Sequence, residues 1–392
     1  MAVNNYESLD TNSDVTTTRT LLHEAIPLTG TIVSGTYGTL AGGGNIKNYT
    51  HGMFQSVYDY PYLSSSANHI FDITVGYDEG SSLSGSSSRV MQSKKINMYN
   101  QFSQVLLGYK DGTNTIEIFE SDLDIGDDSH QMKECVFINF SRLLQKDQIK
   151  PGTFSLVVGT GSWSGSFNAI RGPDYPALVT LTDKSASATG TGTKNQVGGD
   201  YGVLYASGSE DGTEGSGYQS GMAADSSAAG KNEAYGVVFY QAGVVVLTSS
   251  LFTHQGSGSG APIKQFYWNP AYGTSGSLQS MAQALTGAAI SGACDAIRHR
   301  LYNLSFNNTT EINSKIYFCR VPHNKYNYSS NPTYTDGSKI RVKSKASDTP
   351  VAYITTIGLY NASNELLAVA KLSEPLRKDP TNDITLRVRL DY

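Results

Sequence analysis

Seven histidines, three cysteines and one acidic loop are the places where this 392-residue chain could carry chemistry. The histidines are His23, His51, His69, His130, His254, His299 and His323, and no two share the H-E-x-x-H spacing of a zinc-binding helix. His23-Glu24 is a neighbour pair in sequence only. Each histidine reads as a hydrogen-bonded or exposed side chain rather than a general base. Cys135, Cys294 and Cys319 form no C-x-x-C unit, so they build no metal framework by themselves. They read as buried, reduced thiols, with a Cys294–Cys319 bridge as the alternative. The loop Asp122 to Asp128, D-L-D-I-G-D-D, approaches a calcium loop. Its third acidic position, glycine spacing and closing glutamate are all wrong for one.

Nucleophile and nucleotide motifs fail in the same way. In Gly159 to Ser166, G-T-G-S-W-S-G-S, Trp163 stands where a nucleophile elbow would place its serine. Gly42-Gly43-Gly44 lacks the Lys-Ser/Thr of a phosphate loop. Gly190-x-Gly192 and Gly256-x-Gly258-x-Gly260 lie in polar loops rather than between a strand and a helix. No catalytic, cofactor-binding or metal-ligating residue is assigned, and the chain reads as a non-enzyme without cofactors.

Composition narrows the partners. Only 16% of residues are charged and the formal net charge is −5, which argues against nucleic acid as the main partner, because phosphate binding needs a basic face. Forty glycines and 25 tyrosines fit a turn-rich β protein that buries tyrosine rings at contacts. Met1 to Asp14 has no apolar core, so no signal peptide is expected, and no apolar run is long enough for a membrane span.

The elements that would position any site follow from periodicity. Ile70 to Tyr77, Glu134 to Phe140 and Thr153 to Gly159 predict strands. Tyr235 to Phe252 predicts two central strands turning at Ala242-Gly243. Thr115 to Phe119 predicts a short hairpin strand, Lys315 to Val321 a strand, and Lys339 to Lys345 a basic one. Val90 to Tyr109 predicts a helix, capped at Ser87 or Ser88, with Met91, Lys94/Lys95, Met98/Tyr99, Phe102, Val105/Leu106 and Tyr109 on one face. Ser277 to Tyr302 predicts a second, weakened by Gly287 and Gly292. Ser141 to Gln148 reads as one helical turn or a loop.

The C-terminus closes the pattern. Ala352 to Ile357 alternates as a strand. Glu365 to Leu372, beyond the turn Asn361-Ala362-Ser363-Asn364, reads as a helix or a second strand, and the alternation Leu367/Val369/Lys371 favours the strand. Pro375 and Pro380 predict a loop. Ile384, Leu386, Val388 and Leu390 then alternate with Thr385, Arg387, Arg389 and Asp391 in a final half-buried strand. A three-stranded sheet joining Ile354, Leu367 and that strand is expected. The fold class is α+β and predominantly β: an antiparallel sheet or sandwich body with two main helices, a Gly/Ser-rich insertion and a C-terminal β unit. The expected organisation is an arm over 1–18, a β-rich domain with one helix over 19–181, the Gly/Ser/Thr-rich insertion over 182–234, the rest of the β-rich body over 235–345, and the C-terminal β unit over 346–392. The insertion is too poor in apolar area to fold alone, and Val203-Leu204-Tyr205 is its one strand-like island.

Two stretches carry a resemblance. Ile357-Gly358-Leu359-Tyr360-Asn361, then Glu365 to Lys371 and the closing Leu/Val/Arg strand, resemble a C-terminal segment of bacteriophage virion proteins. Leu21 to Ile32 and Lys47 to Tyr62 resemble structural proteins of large contractile-tailed phages, including those of cyanobacteria. The resemblance implies a structural component of the virion, of the tail, baseplate or neck. Such a component would be assembled in the host cytoplasm and present in multiple copies in a symmetric array. Its partners would be other virion proteins, with neither nucleic acid nor membrane as the main contact. The alternative function is a receptor-binding adhesin or a capsid decoration protein, although no fixed-period repeat marks an adhesin shaft. A polysaccharide-cleaving enzyme is a third reading.

Overall fold

The computed structural model describes residues 6–29, 44–84, 90–110, 114–119, 131–159, 178–183, 194–207, 234–252, 266–267, 278–279, 285, 289–298, 301–328, 335–336, 339–340 and 349–392. Among the described residues twenty strands run in chain order. They are β1 (Val15–Thr29), β2 (Ile46–Asn48), β3 (Gln55–Tyr58), β4 (His69–Tyr77), β5 (Glu134–Phe140), β6 (Gln148–Ile149), β7 (Ser155–Gly159), β8 (Leu178–Thr182), β9 (Lys194–Gln196) and β10 (Gly199–Ser207). Then come β11 (Ala234–Phe239), β12 (Val244–Thr248), β13 (Phe266–Tyr267), β14 (Leu278–Gln279), β15 (Leu301–Val321), β16 (Thr335–Asp336), β17 (Lys339–Ile340), β18 (Ala352–Tyr360), β19 (Leu366–Lys378) and β20 (Ile384–Asp391). The helices among the described residues are α1 (Val90–Leu106), α2 (Arg142–Gln145) and α3 (Ile290–Arg298). The fold is α+β and predominantly β, with antiparallel sheets, as the sequence predicts. The chain forms two units, His23–Thr310 and Met1–Leu22 with Glu311–Tyr392, and the division falls inside β1 and β15.

In the unit His23–Thr310 the sheet order is β15-β7-β8-β10-β11-β12-β5-β4-β3-β2, with β6 also on β15 and β9 on β10. The strands E-C-V-F-I-N-F and V-V-V-L-T read as apolar runs rather than alternations because the middle of this sheet is buried on both faces. Cys135, Phe137, Val237, Phe239, Val244 and Val246 pack on one face with Tyr99 and Leu106 of α1. Their neighbours Val136, Ile138, Val238, Val245 and Leu247 pack on the other with Ala293, Cys294 and Ile297 of α3. Burying one such side chain is worth about 1.5–3 kcal/mol, so these two layers hold the unit together. The turn between β11 and β12 uses Gly243 at φ 66, a left-handed conformation open to glycine. At Gly76 of β4, α1 comes so close that a Cβ would stand 2.6 Å from the Lys95 carbonyl oxygen and 2.8 Å from the Tyr99 nitrogen.

Several expectations need correction here. The buried face of α1 is Gln92, Lys95, Ile96, Met98, Tyr99, Ser103 and Leu106, while Met91 and Val105 are exposed. Lys95, Met98, Tyr99 and Leu106 of the predicted face are buried and Phe102 packs against the core, so the face is shifted rather than replaced: Gln92, Ile96 and Ser103 join it where α1 meets β4 at Gly76. It ends at Leu106, before Gly108 at φ 88. The second helix spans Ile290–Arg298 rather than Ser277 to Tyr302; Leu278–Gln279 is a strand, and Leu301 already opens β15. Thr115 to Phe119 supplies one bridge, Tyr109 with Ile116, instead of a strand. Val203-Leu204-Tyr205 is the middle of β10, held between β11 on one side and β8 and β9 on the other. Ser141 does cap a helical turn, accepting from the Leu143 N–H. The caps at Ser87 and Ser88, Gly42-Gly43, the loop Asp122 to Asp128, Trp163, Gly190, Gly192, the glycines 256–260, His130, His254, His299, residues 341–345 and most of 182–234 lie outside the described residues.

In the unit Met1–Leu22 with Glu311–Tyr392, β15 is flanked by β1 and by β20, while β16–β17 and β18–β19 are separate two-stranded sheets. The terminal strand therefore pairs with β15, Tyr317 opposite Val388, and does not share a sheet with Ile354 or Leu367. Pro375 falls within β19, in the irregular stretch where Ile354 pairs with Leu376 but Thr356 with Lys371. A strand tolerates proline where the ladder is already broken. The predicted alternation of β20 holds, with Arg387 and Arg389 exposed, but of its inward set only Val388 is fully buried. β15 is longer than Lys315 to Val321. Its Asn303 to Ser314 stretch hides in sequence because polar Asn308, Thr309 and Ser314 occupy buried positions there.

Candidate functional site

The described residues hold four buried or half-buried polar clusters of note, and each has the geometry of a structural tie. On β3 and β4, Ser56 Oγ donates to Asp72 Oδ1 at 2.5 Å, and His69 Nε2 meets the same oxygen at 2.9 Å. Tyr49 Oη lies 3.1 Å from Ser56 Oγ. A serine nucleophile needs the imidazole between hydroxyl and carboxylate. Here the carboxylate stands between them, which holds the serine proton rather than removing it.

Asp183, fully buried after β8, accepts from Gly152 N–H and Phe154 N–H at 2.8 Å each and from Tyr240 Oη at 2.9 Å. Burial raises its carboxyl pKa against the pull of those donors. It pins the Pro151-Gly152 turn to β11. Gln55 donates to Asn48 and Asp295 at 2.8 and 2.7 Å, and Asp295 also accepts from Arg298 at 2.6 Å, tying β2 and β3 to α3. Lys95 is fully buried, donates to the Leu285 carbonyl, and is pushed down to about 8 by burial, with the nearby Cys294 thiol opposing the shift.

The described histidines and thiols have separate surroundings. His23 meets Thr309 Oγ1 at 3.2 Å, while Glu24 engages Asn308 through its backbone N–H, so the pair makes no joint site. His51 stacks on Tyr49, and His323 faces Asp383 at 3.5 Å. Cys135, Cys294 and Cys319 are free thiols, and burial pushes each upward, away from the thiolate. Among the described residues no group of three His, Cys, Asp or Glu side chains has metal-site geometry, and no helix is long and apolar enough to cross a membrane.

What remains is surface. β1 is an outer strand 15 residues long, paired among the described residues with β15 alone. Thr16 to Ala25 are all exposed, on both faces of the strand. Its ties to β15 include the ion pairs Asp14 with Arg320 and Arg19 with Glu311 and the hydrogen bonds of His23 and Glu24 to Thr309 and Asn308, a pairing that descends along one strand as it ascends the other. A strand whose two faces and outer edge are all open presents unpaired N–H and C=O groups as a template for another chain. The threonines favour that extended form, and Pro27 removes one donor near its end.

The second surface is the β18–β19 hairpin. Asn361 closes its turn, its Oδ1 accepting from Ser363 N–H at 2.9 Å and Glu365 N–H at 2.8 Å, with Asn364 at φ 62. Ile357, Leu359, Ala368 and Ala370 form a half-buried face, while Tyr360, Leu366, Leu367 and Val369 stay exposed. Sequence reasoning predicts both strands but not this surface, since aliphatic residues in a strand read as core. Comparisons with family models, with curated proteins and with solved structures return no significant match.

Proposed function

We propose that the chain is a non-enzymatic structural subunit of a bacteriophage virion, acting through protein–protein contacts in the contractile tail, at the baseplate or the neck. The observation that carries the assembly part is β1, a 15-residue strand whose residues Thr16 to Ala25 are exposed on both faces. Ile26 and Leu28 anchor the end of the strand in the core, but Thr16 to Ala25 bury almost no apolar area in their own chain, so that stretch gains stability by pairing with a neighbour's strand. Low charge supports the same reading, because a chain with only 16% charged residues puts little repulsion between closely packed copies. The virion part rests on the resemblance of Leu21 to Ile32, Lys47 to Tyr62 and Ile357 to Lys371 to phage structural proteins. Assembly would take place in the host cytoplasm, in several copies arranged symmetrically. The test is the position of tagged copies on intact particles: a discrete ring on the tail, baseplate or neck is expected.

A further inference from the structure

Unpaired two-stranded hairpins are marginal in water, and β18–β19 is a sheet of its own. One face carries Tyr360 opposite Leu366 and Gly358 opposite Val369. The Tyr360 ring folds over Gly358 and the Leu366 side chain reaches the same spot, so these groups form one layer. Tyr6 extends it, its ring centroid 4.9 Å from that of Tyr360. Leu367, 68% exposed, is the extra residue where the pairing slips between Leu359 and Tyr360.

We infer that this face is a homotypic interface, covered by the same face of a second copy of the chain. The inference rests on the reading of the chain as an assembly subunit and names one of its contacts. Area supports it. Tyr6, Tyr360, Leu366, Leu367 and Val369 are each about half exposed. Together they present roughly 350 Å² of apolar surface, by the usual area of an aromatic or aliphatic side chain. Two such faces bury about 700 Å² of apolar area, which at the ordinary apolar share of an interface corresponds to about 1,200 Å² in all. That reaches the lower bound of specific association.

Charge supports a copy over a different partner. Glu365 and Lys371 are both exposed and stand at opposite ends of the aliphatic run, about 20 Å apart at strand rise. Two hairpins stacked face to face and pointing in opposite directions, about a two-fold near Ala368, set each Lys371 toward the other copy's Glu365. The face is thus complementary to itself in charge as well as in apolar character.

The experiment is sedimentation velocity on the full chain across a hundredfold concentration range, for wild type, Leu367→Glu with Val369→Glu, Glu365→Lys, Lys371→Glu, and the last two combined. The expected result is reversible dimerisation of wild type and a monomeric Leu367→Glu/Val369→Glu variant with an unchanged far-ultraviolet spectrum. Each single charge change should weaken the dimer several-fold, and the combined swap should restore it. A wild type that stays monomeric throughout overturns the inference, as does a Leu367→Glu/Val369→Glu variant that associates as well as wild type. In the second case association through β1 survives and the assembly reading stands, so the two failures are distinguishable. If the double variant does not fold, rescue by the charge swap decides: a combined variant no stronger than the singles also overturns the inference.

Discussion

Replacing Lys95 with methionine tests how the core of the unit His23–Thr310 treats a fully buried amine. Lys95 projects from α1, is fully buried, and has the Leu285 carbonyl as its hydrogen-bond acceptor. Burial lowers its pKa from 10.5 to about 8, with Cys294 opposing. In the unfolded chain the same group titrates near 10.4. Between pH 8 and 10.5 the unfolded state therefore holds a proton that the folded state has released. Stability rises with pH across that window, and the gain is lost as pH falls through 8. The full cost of burying the charge below pH 8 is about 3 kcal/mol. Methionine removes that cost and matches the volume, but leaves the Leu285 carbonyl without its donor, at about 1–3 kcal/mol. At pH 7 the two terms nearly cancel, and Lys95→Met should lie within about 2 kcal/mol of wild type. At pH 10 the charge penalty has largely gone, and the variant should be less favourable relative to wild type by about 2.5 kcal/mol than it was at pH 7. Urea unfolding of both proteins at pH 7, 8, 9 and 10 reads this difference directly and cancels the titration of groups they share. A wild-type-minus-variant difference that is flat from pH 7 to 10 would refute the reasoning.

Asp183→Ala leaves the Gly152 and Phe154 N–H groups and the Tyr240 hydroxyl without their acceptor. It should cost about 3 kcal/mol or more, seen as a lowered urea midpoint. Because burial holds the Asp183 pKa above its ordinary value, its ionisation costs stability as pH rises through that value. The deficit of the variant should therefore shrink from pH 4 to pH 7. Gly76→Ala forces a methyl against the Lys95 carbonyl and the Tyr99 backbone; a loss of about 1–3 kcal/mol in the same assay is expected, with the α1 contact as its source.

The strands of the sheet centre were legible because a strand buried on both faces leaves an apolar run that nothing else in the chain matches. Glu134 to Phe140 and Tyr235 to Thr248 are of that kind, and the turn between the latter two strands was marked by Ala242-Gly243. β15 was half hidden because its middle is N-N-T-T, whose burial depends on hydrogen bonds such as Asn308 to the Leu144 carbonyl rather than on apolar side chains. The buried face of α1 was legible at Lys95, Met98, Tyr99 and Leu106 but not at its margins, because polar Gln92 and Ser103 occupy core positions, which no apolar period reveals. Partnering of β20 with β15 was illegible for another reason: alternation names the faces of a strand but says nothing about which edge it meets. The candidate contact surfaces were invisible for the converse reason. Leu366, Leu367 and Val369 look like core in sequence, and only the fold leaves them exposed.

If the chain is, as proposed, an assembled part of a particle, the place where its copies sit decides the matter. A tag at Tyr392, which is exposed, should be decorated on purified virions at one axial level of the tail, baseplate or neck, in a number set by the local symmetry. Particles that carry no tagged copies, or copies spread over the capsid shell, would contradict it.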